Sequence, residues 1–501
     1  TEMAPMDQPI TVLPETTAAF IGRALRGPLN QPILVHSFGE YRRRFGDVWS
    51  RSSMAPAVQQ FFEHGGRRLY VVRVVNRARG SMICLPASGC ALVLRAIEPG
   101  STECIRAAVD YDGIAVDDDE LFNFTLQRID PLTGLVLDQE LFRKLSHREQ
   151  HARFVADVLL GSALARVDVP FPLHRPEATA GPSAAYYSSY VEATQPGTDG
   201  HELTDYDLIG SRRKETGLFA LQQIDDLDVL YLPPPGKRRD LGPASVLAAE
   251  RYCRERGAML VVDPPSEWQS TVDAMAGARA SGYASPNMIG YFPRMRERGE
   301  SDSPARAIGG AVAGLLCKLD RQHGVWKCLD EHGIRFRRNL EPAVDVASDD
   351  AAVLTRRGLN VISKAAAGAA CIRGSVTMER GVEAHHDLIT VPTRRLCLQI
   401  MNAIDHSTRW AVFENYDHAM QDRIRAQISR YLEQLADYGA IVGDRISIDC
   451  RAEPDRRAAP IDHGLTIEVQ FQPVDCDQPV AFTLHQGIAG CRVTRTAFAS
   501  A

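Results

Sequence analysis

The fold of this chain is decided by residues 387–444, DLITVPTRRLCLQIMNAIDHSTRWAVFENYDHAMQDRIRAQISRYLEQLADYGAIVGD. Apolar side chains recur there with the spacing of two one-sided helices. They are Leu396, Ile400, Ala403 and Ile404 in the first helix, and Ile424, Ile428, Tyr431, Leu432 and Leu435 in the second. Pro392 and Gly439 are typical of a helix start and a helix end. Residues 410–413 predict a short strand between the helices, so the stretch predicts an α+β unit.

Length and charge describe a globular protein with several cores. The chain has 501 residues, of which 45% are hydrophobic and 24% charged. At ~150 residues per domain, this length predicts roughly three domains. The formal net charge of -6 argues against a general nucleic-acid binder, which needs a basic surface to displace counterions. The basic clusters at 42–44 and 212–214 are expected on solvated faces.

Cysteine usage and the first residues of the chain indicate the cellular compartment in which the protein is made. Eleven cysteines are scattered without a Cys-x-x-Cys pair, which predicts neither a disulfide framework nor a zinc site. We expect reduced, mostly buried thiols in a protein made in cytoplasm. The opening TEMAPMDQPI lacks a basic region followed by an apolar run, and no stretch reaches the ~18 apolar residues of a membrane span, so no membrane insertion is expected.

The middle of the chain predicts a parallel sheet and raises an enzyme alternative. Strand and helix patterns alternate over residues 226–320, which is typical of βαβ units. Ligands of such sheets bind beyond the strand ends, so Asp263 marks where a soluble α/β hydrolase or transferase would have its site. No Walker loop, dinucleotide fingerprint or Gly-x-Ser-x-Gly elbow occurs. A lone Asp at a strand end more often caps a helix.

One histidine pair has a spacing that occurs in metal sites. His147 and His151 have helical i, i+4 spacing, with Glu149 between them. The metalloprotease pattern needs Glu directly after the first His, and Arg148 occupies that position. A solvated helix face is the expected structure, and no metal or other cofactor is expected.

Several motifs, in order, resemble those of contractile tail sheath proteins. The C-terminal stretch carries an Arg-Arg helix, a Trp-x-Val-Phe-Glu segment and a helix ending in Gly-Ala: Arg394, Arg395, Trp410, Val412, Phe413, Glu414, Gly439 and Ala440. Residues 306–327 carry Ala-Gly before a helix, an Asp and then Gly-Val-Trp-Lys: Ala313, Gly314, Asp320, Gly324, Val325, Trp326 and Lys327. The GTDG turn at 197–200 and the opening strand, loop and helix after Thr17 also match.

The resemblance implies an α+β and α/β multidomain protein with inner sheath domains, an inserted β-rich outer domain and extended terminal arms. The boundaries implied are 1–16 for the N-terminal linking arm, 17–80 for the first part of the inner domain, 81–196 for the insertion and linker, 197–380 for the α/β middle domain, 381–450 for the tube-facing α+β domain, and 451–501 for the C-terminal strand and linking arm.

The function implied is structural, not enzymatic. The subunit is expected to polymerise with itself as a six-fold stacked helical sleeve around an inner tail tube protein, to meet baseplate and tail terminator proteins, and to contract so that the tube is driven through a target envelope. Nucleic acid is not an expected partner. The location implied is a virion tail or an extracellular contractile particle, assembled in bacterial host cytoplasm.

Two sets of interface residues follow from the family and from local patterns. The tube-facing hypothesis uses one flank of the second long helix: Arg423, Gln427, Arg430 and Gln434. The strand-addition hypothesis uses the arm residues Ile10, Thr11, Val12 and Leu13 and a period-two strand with an apolar face: Leu465, Ile467, Val469 and Phe471. No hairpin partner for that strand is obvious in its own domain, so neighbouring copies are expected to pair with it.

Overall fold

The computed structural model describes residues 10–180, 189–236, 239–299, 304–330, 333–364, 368–379, 390–413, 418–454, 463–487 and 490–498. Residues 1–9 of the predicted arm, Glu414 of the predicted strand motif and the loop at 455–462 lie outside these ranges. Strands and helices are mixed throughout the described ranges, as the α+β and α/β prediction requires.

The helices are α1 Phe38–Phe45, α2 Met54–Glu63, α3 Val155–Val158, α4 Asp205–Ile209, α5 Pro243–Arg256, α6 Thr271–Ala280, α7 Gly309–His323, α8 Ser348–Arg356, α9 Val391–Thr408 and α10 His418–Asp437. Within the described residues, 3-10 helices span Leu159–Gly161, Gly217–Gln223 and Arg409–Phe413.

The strands are β1 Thr17–Gly22, β2 Ile33–Val35, β3 Arg68–Arg73, β4 Met82–Ala87, β5 Cys90–Ala96, β6 Cys104–Asp110, β7 Leu121–Ile129, β8 Val136–Ser146, β9 Ala165–Val167, β10 Val191–Glu192, β11 Val229–Tyr231, β12 Met259–Val262, β13 Met288–Phe292, β14 Met295–Glu297, β15 Leu340–Pro342, β16 Leu359–Lys364, β17 Ala370–Arg373, β18 Ser447–Pro454, β19 His463–Phe471, β20 Val480–Gly487 and β21 Gly490–Phe498.

The central layer is an eight-stranded sheet in the order β17-β16-β13-β12-β11-β1-β3-β2. The six inner strands are parallel, and the antiparallel strands β2 and β17 close the two edges. β1 is buried along its whole length and pairs with β3 on one side and β11 on the other. The parallel layer predicted from residues 226–320 is therefore confirmed, and it also takes in the beginning of the chain.

Helices cover both faces of this sheet, because its strands are apolar on both sides. α2 and α7 pack on one face and α5 on the other. Two glycines of α7 allow its close crossing with α2. A Cβ on Gly310 would lie 2.3 Å from the Ala57 carbonyl oxygen, and one on Gly314 would lie 2.4 Å from that of Phe61. The small residues of GGAVAG thus set the distance between the two helices.

Residues between β3 and β11 form two further sheets, β10-β6-β7-β8 and β4-β5-β9. They share one apolar core, with Leu92, Leu94, Phe124 and Leu126 among its fully buried members. The chain returns to the central layer at the GTDG turn, where Thr198 and Arg79 exchange backbone hydrogen bonds of 2.9 and 3.1 Å. Asp199 accepts hydrogen bonds from the backbone and hydroxyl of Ser101, so this turn joins the inserted sheets to the inner part.

The C-terminal part consists of α9, α10 and the antiparallel sheet β18-β19-β20-β21. Its buried side chains belong to the same contiguous core as α2, α7 and one face of the central sheet. The two predicted helices are confirmed. The strand predicted at residues 410–413 is wrong, because Arg409–Phe413 continues from α9 as a 3-10 helix. A short apolar run without periodicity cannot distinguish strand from helix.

The predicted histidine helix is also wrong. β8 ends at Ser146 and α3 begins at Val155, and His147, Glu149 and His151 lie in the turns between them. The His147 ring lies 3.3 Å from the Glu120 carbonyl oxygen, and the Arg153 backbone N–H donates to the His151 ring at 3.0 Å. The described ranges contain no group of three or more His, Cys, Asp or Glu side chains placed to hold a metal ion. Within the same ranges, no helix combines the length and apolarity needed to cross a membrane.

Candidate functional site

A buried ion pair joins the root of the N-terminal arm to two long helices. Arg395 of α9 donates from Nη1 to Asp320 Oδ1 at 2.7 Å and from Nη2 to Oδ2 at 2.5 Å. The Thr16 hydroxyl donates to the same Oδ2 at 2.5 Å. The side chains of Arg395 and Asp320 are only 4% and 5% exposed. Two motif residues predicted only as family markers therefore meet each other, and the end of the arm is bonded to them.

The surroundings explain how charge is tolerated inside the core. Fourteen of the 18 residues of α9 are buried, including Arg394, whose guanidinium donates to Asn287 Oδ1 at 2.8 Å. Burial lowers the pKa of Arg395, but the Asp320 carboxylate more than offsets this, so the pKa lies above its usual value. A bidentate, charge-assisted pair of this kind is the geometry in which a buried guanidinium stays compensated.

A second carboxylate lies beside this pair. The Asp228 carboxylate accepts from the Thr17 backbone N–H at 2.7 Å. Burial raises the pKa of Asp228 to about 6, against the opposing effects of that hydrogen bond and of the Arg395 charge. The first residue of β1 is thus held by a carboxylate, directly after the residue held by Asp320.

The arm residues predicted for strand addition lie beside α9 in space and form no strand. Gln399 Nε2 donates to the Val12 carbonyl at 2.8 Å, and Ile10 and Val12 pack partly against the main core. Thr11 is exposed, and Leu13 is 44% exposed. Among the described residues, 10–13 pair with no strand. Their pairing with a neighbouring copy stays a prediction.

The C-terminal strand predicted to lack a partner has one on each side. Ile467 pairs with Cys450 of β18 and with Leu484 of β20, and the register continues along β19. Leu465, Ile467, Val469 and Phe471 are all buried, so the apolar face was assigned correctly. The expectation that this strand has an open edge was wrong, because a meander supplies both neighbours. Within the described residues, the sheet edges are β18 and β21.

The flank of α10 predicted to face a tube is only partly exposed. Arg423, Arg430 and Gln434 are exposed, but Gln427 is buried. The Arg423 guanidinium lies over the Trp410 ring, 5.2 Å from its centroid. Gln427 is therefore removed from the proposed contact surface, because its position turns toward the apolar stripe. The other three residues stay a hypothesis.

The strand end at Asp263, where the enzyme alternative would place its site, caps a helix. Asp263 Oδ1 accepts from the backbone N–H groups of Ile308 and Gly309, each at 2.9 Å, and Oδ2 accepts from the Tyr231 hydroxyl at 2.5 Å. Burial raises the pKa of Asp263. The adjoining cavity measures about 70 Å³, well below the several hundred Å³ of ligand sites. Asp263 positions the start of α7, as an Asp at a helix N-terminus does.

Sequence reasoning missed the ion pair and the arm junction. Arg394 and Arg395 occur in a helix whose apolar residues predicted one buried stripe, and an arginine is ordinarily assigned to the solvent side. The available signal was the pair of motifs itself, since one supplies a buried cation and the other a buried carboxylate. A compensating partner is what a buried charge requires.

The whole chain was compared with known proteins. No protein-family model matches the sequence, and no curated protein matches it. Among solved structures, a sheath tail protein from Listeria innocua has 14% sequence identity and a TM-score of 0.63, with 94% of each chain covered. A sheath tail protein from Desulfitobacterium hafniense has 14% identity and a TM-score of 0.55, covering 97% of this chain and 99% of that one.

A third structure is the sheath complex of an extracellular contractile injection system, PVC, in its contracted state. It has 14% identity and a TM-score of 0.51, covering 92% of this chain and 87% of the other. The similarity thus includes the central sheet, the inserted sheets and the C-terminal part together. This chain has the fold of contractile sheath proteins, as its motifs predicted.

Proposed function

We propose that this chain is the structural subunit of a contractile sheath, which polymerises around an inner tube and contracts to drive the tube through a target envelope. The observation that carries the proposal is the fold similarity to sheath tail proteins over 94% and 97% of the chain. The helix-capping geometry of Asp263 removes the motive for the hydrolase or transferase alternative. The subunit is proposed to have no catalytic role.

The proposed partners are further copies of the chain, the tube protein, and baseplate and terminator proteins at the ends of the polymer. The exposed flank of α10 at Arg423, Arg430 and Gln434 is the proposed tube contact. The arm at 1–16 is the proposed link between copies. Because β19 is internal, strand addition is now proposed at β18 and β21, which are the edges of this sheet among the described residues.

Contraction is proposed to be mechanical. The subunit is held in a metastable extended lattice, and repacking of the same surfaces into a tighter lattice releases free energy. Neither a nucleotide nor a metal takes part. Assembled particles should contract without added ATP, and a requirement for ATP would contradict this mechanism.

Negative-stain electron microscopy of the purified chain tests the proposal. We expect tubes or long cylinders with cogwheel cross-sections, formed alone or on purified tube. A variant lacking residues 1–9 retains Thr16 and therefore the junction with Asp320, so it should stay folded and monomeric without forming long sheaths. A wild-type chain that stays monomeric at all concentrations, with and without tube, would refute the proposed function.

A further inference from the structure

A basic groove lies on the side of the central layer covered by α2 and α7. It has a volume of about 560 Å³. Five cationic side chains line it, against a single carboxylate, Glu63; the five are Lys318, Arg321, Arg335, Arg337 and Arg338. The whole chain has a net charge of -6. The groove therefore has the opposite sign to the rest of the molecule.

Carboxylates of the described residues leave most of this positive charge unpaired. Arg337 forms an ion pair of 3.0 Å with Glu63, and Arg321 donates to the Gly65 carbonyl at 3.0 Å. Within the part of the chain that the structure describes, Lys318, Arg335 and Arg338 form no ion pair. The neighbouring His64 is mostly buried and accepts from the Arg337 backbone N–H at 3.3 Å.

Two aromatic side chains also line the groove. Phe62 is half-buried and Phe336 is buried. Such a groove fits an apolar side chain followed by carboxylates. A simple inorganic anion would use the cations but not the aromatic rings.

One exposed loop of this chain has that composition. Between β6 and β7, Val116 is 102% exposed and is followed by the exposed residues Asp117 and Asp119. Asp118 has a different role, because its carboxylate accepts from the backbone N–H groups of Glu120 at 2.9 Å and Leu121 at 3.0 Å. The turn is thus held by Asp118, which leaves its two neighbours to face solvent.

We infer that the basic groove receives the β6–β7 loop of a second copy of this chain, with Val116 against Phe62 and the carboxylates of Asp117 and Asp119 against Arg335 and Arg338. The inference rests on the proposed self-assembly and adds a specific contact to it. Charge complementarity and the full exposure of Val116 carry it. Because the contact is partly exposed, it is weakened by salt, which screens charges over about 8 Å at physiological ionic strength.

A peptide experiment tests the groove without any polymer. The probe is a fluorescein-labelled peptide of residues 112–121, DGIAVDDDEL, and its control carries Asn at positions 117 and 119. Anisotropy should show binding to the full chain at low salt, at least fivefold weaker for the control peptide. Arg335→Glu/Arg338→Glu should weaken binding at least fivefold, and Arg212→Glu/Arg213→Glu, in a separate exposed cluster, should not. Equal binding of both peptides would overturn the inference. Tripolyphosphate serves as a competing simple anion, and its binding to the chain without displacing the labelled peptide would also overturn it.

An assembly experiment tests the contact between copies. Arg335→Glu/Arg338→Glu should reduce sheath formation, as should Asp117→Arg/Asp119→Arg. A chain carrying all four reversals restores complementary charges and should assemble again, which a misfolded variant could not do. Unimpaired assembly of the groove variant would show that the groove is not an intersubunit contact. Failure of the wild type to polymerise would instead refute the proposed function. The peptide experiment would still show whether the groove binds the β6–β7 loop sequence.

Discussion

Replacing Arg395 with Met should lower the free energy of unfolding by about 3–5 kcal/mol, because it leaves the Asp320 carboxylate buried without its cation. The pair is bidentate, and both side chains are nearly inaccessible to water. The Thr16 hydroxyl remains as a donor to Asp320. One neutral donor compensates a buried carboxylate only in part, which is why most of the loss should be observed.

The same pair should be replaceable as a unit. Removing both charges with Asp320→Leu/Arg395→Met abolishes the uncompensated charge, and such apolar replacements are often neutral or stabilising. Adding Thr16→Val removes the hydroxyl that would otherwise lose its acceptor. The triple variant should therefore be more stable than either single variant, with a coupling energy between positions 320 and 395 of about 2–3 kcal/mol.

Urea denaturation of the monomer, followed by tryptophan fluorescence, measures these differences, since Trp326 is buried in the same core. Tube-free monomer must be used because assembly would add its own stabilisation. Arg251→Met is the matched control, because Arg251 forms an exposed i, i+4 pair with Glu255 at 3.1 Å; it should cost less than about 1 kcal/mol. A loss below about 1 kcal/mol for Arg395→Met, or single losses that simply add in the double variant, would refute the reasoning.

Three further predictions concern other parts of the chain. Burial and the Glu98 charge raise the pKa of Glu103 to about 7. The folded state therefore binds this proton more tightly than the unfolded state, and stability present below pH ~4.5 should be lost as pH rises through about 7. Calorimetry at pH 5 and pH 8 should show a smaller drop in melting temperature for Glu103→Gln than for the wild type, and an unchanged drop would contradict this. Gly197→Ala should destabilise the junction with the inserted sheets by more than about 2 kcal/mol, because its Cβ would lie 2.2 Å from the Gly100 carbonyl oxygen. Gly161→Ala is the control, since its Cβ would meet nothing within 4 Å. Equal melting temperatures of the two variants would count against the prediction. Arg423→Glu/Arg430→Glu should impair assembly on tubes but leave tube-free polymers intact. Glu433→Arg, on the opposite flank, is the control. Normal assembly of the double variant on tubes would show that α10 does not contact the tube.

Local sequence patterns predicted the helices and strands themselves better than they predicted which strands pair with each other. Alternating strand and helix signals were enough for the parallel layer, and 3.6-residue periodicity was enough for α9 and α10. The partner of β19 was missed because β18 reads SIDCRAEP, in which charged residues obscure the alternation. A strand can be recognised from its own residues, but its neighbour depends on packing that involves distant parts of the chain.

Charged residues were the main limit of the sequence reasoning about sites. Arg395 and Asp320 are separated by 75 residues and become neighbours only when α9 packs against α7. The basic groove combines Lys318 and Arg321 of α7 with the RFRR run at 335–338, and neither group alone exceeds an ordinary solvated face. Such a site exists only after the fold brings elements together, so composition and spacing could not indicate it.

The arm junction bears on how force would pass through the proposed sheath. A pull on residues 1–9 would first load the partly buried contacts of Ile10 and Val12. It would then reach Thr16, whose hydroxyl is bonded to Asp320 and whose neighbour Thr17 is bonded to Asp228. Asp320 belongs to α7 and its partner Arg395 to α9, so the load would be divided between the helix that covers the central sheet and the helix that packs on the C-terminal sheet. Because charge-assisted hydrogen bonds lose much of their strength once water enters, burial at this point would keep the arm attached while exposed contacts, such as the one proposed at the basic groove, exchange. In the proposed sheath, sliding of the lattice during contraction would rely on this difference between a buried anchor and salt-sensitive surface contacts.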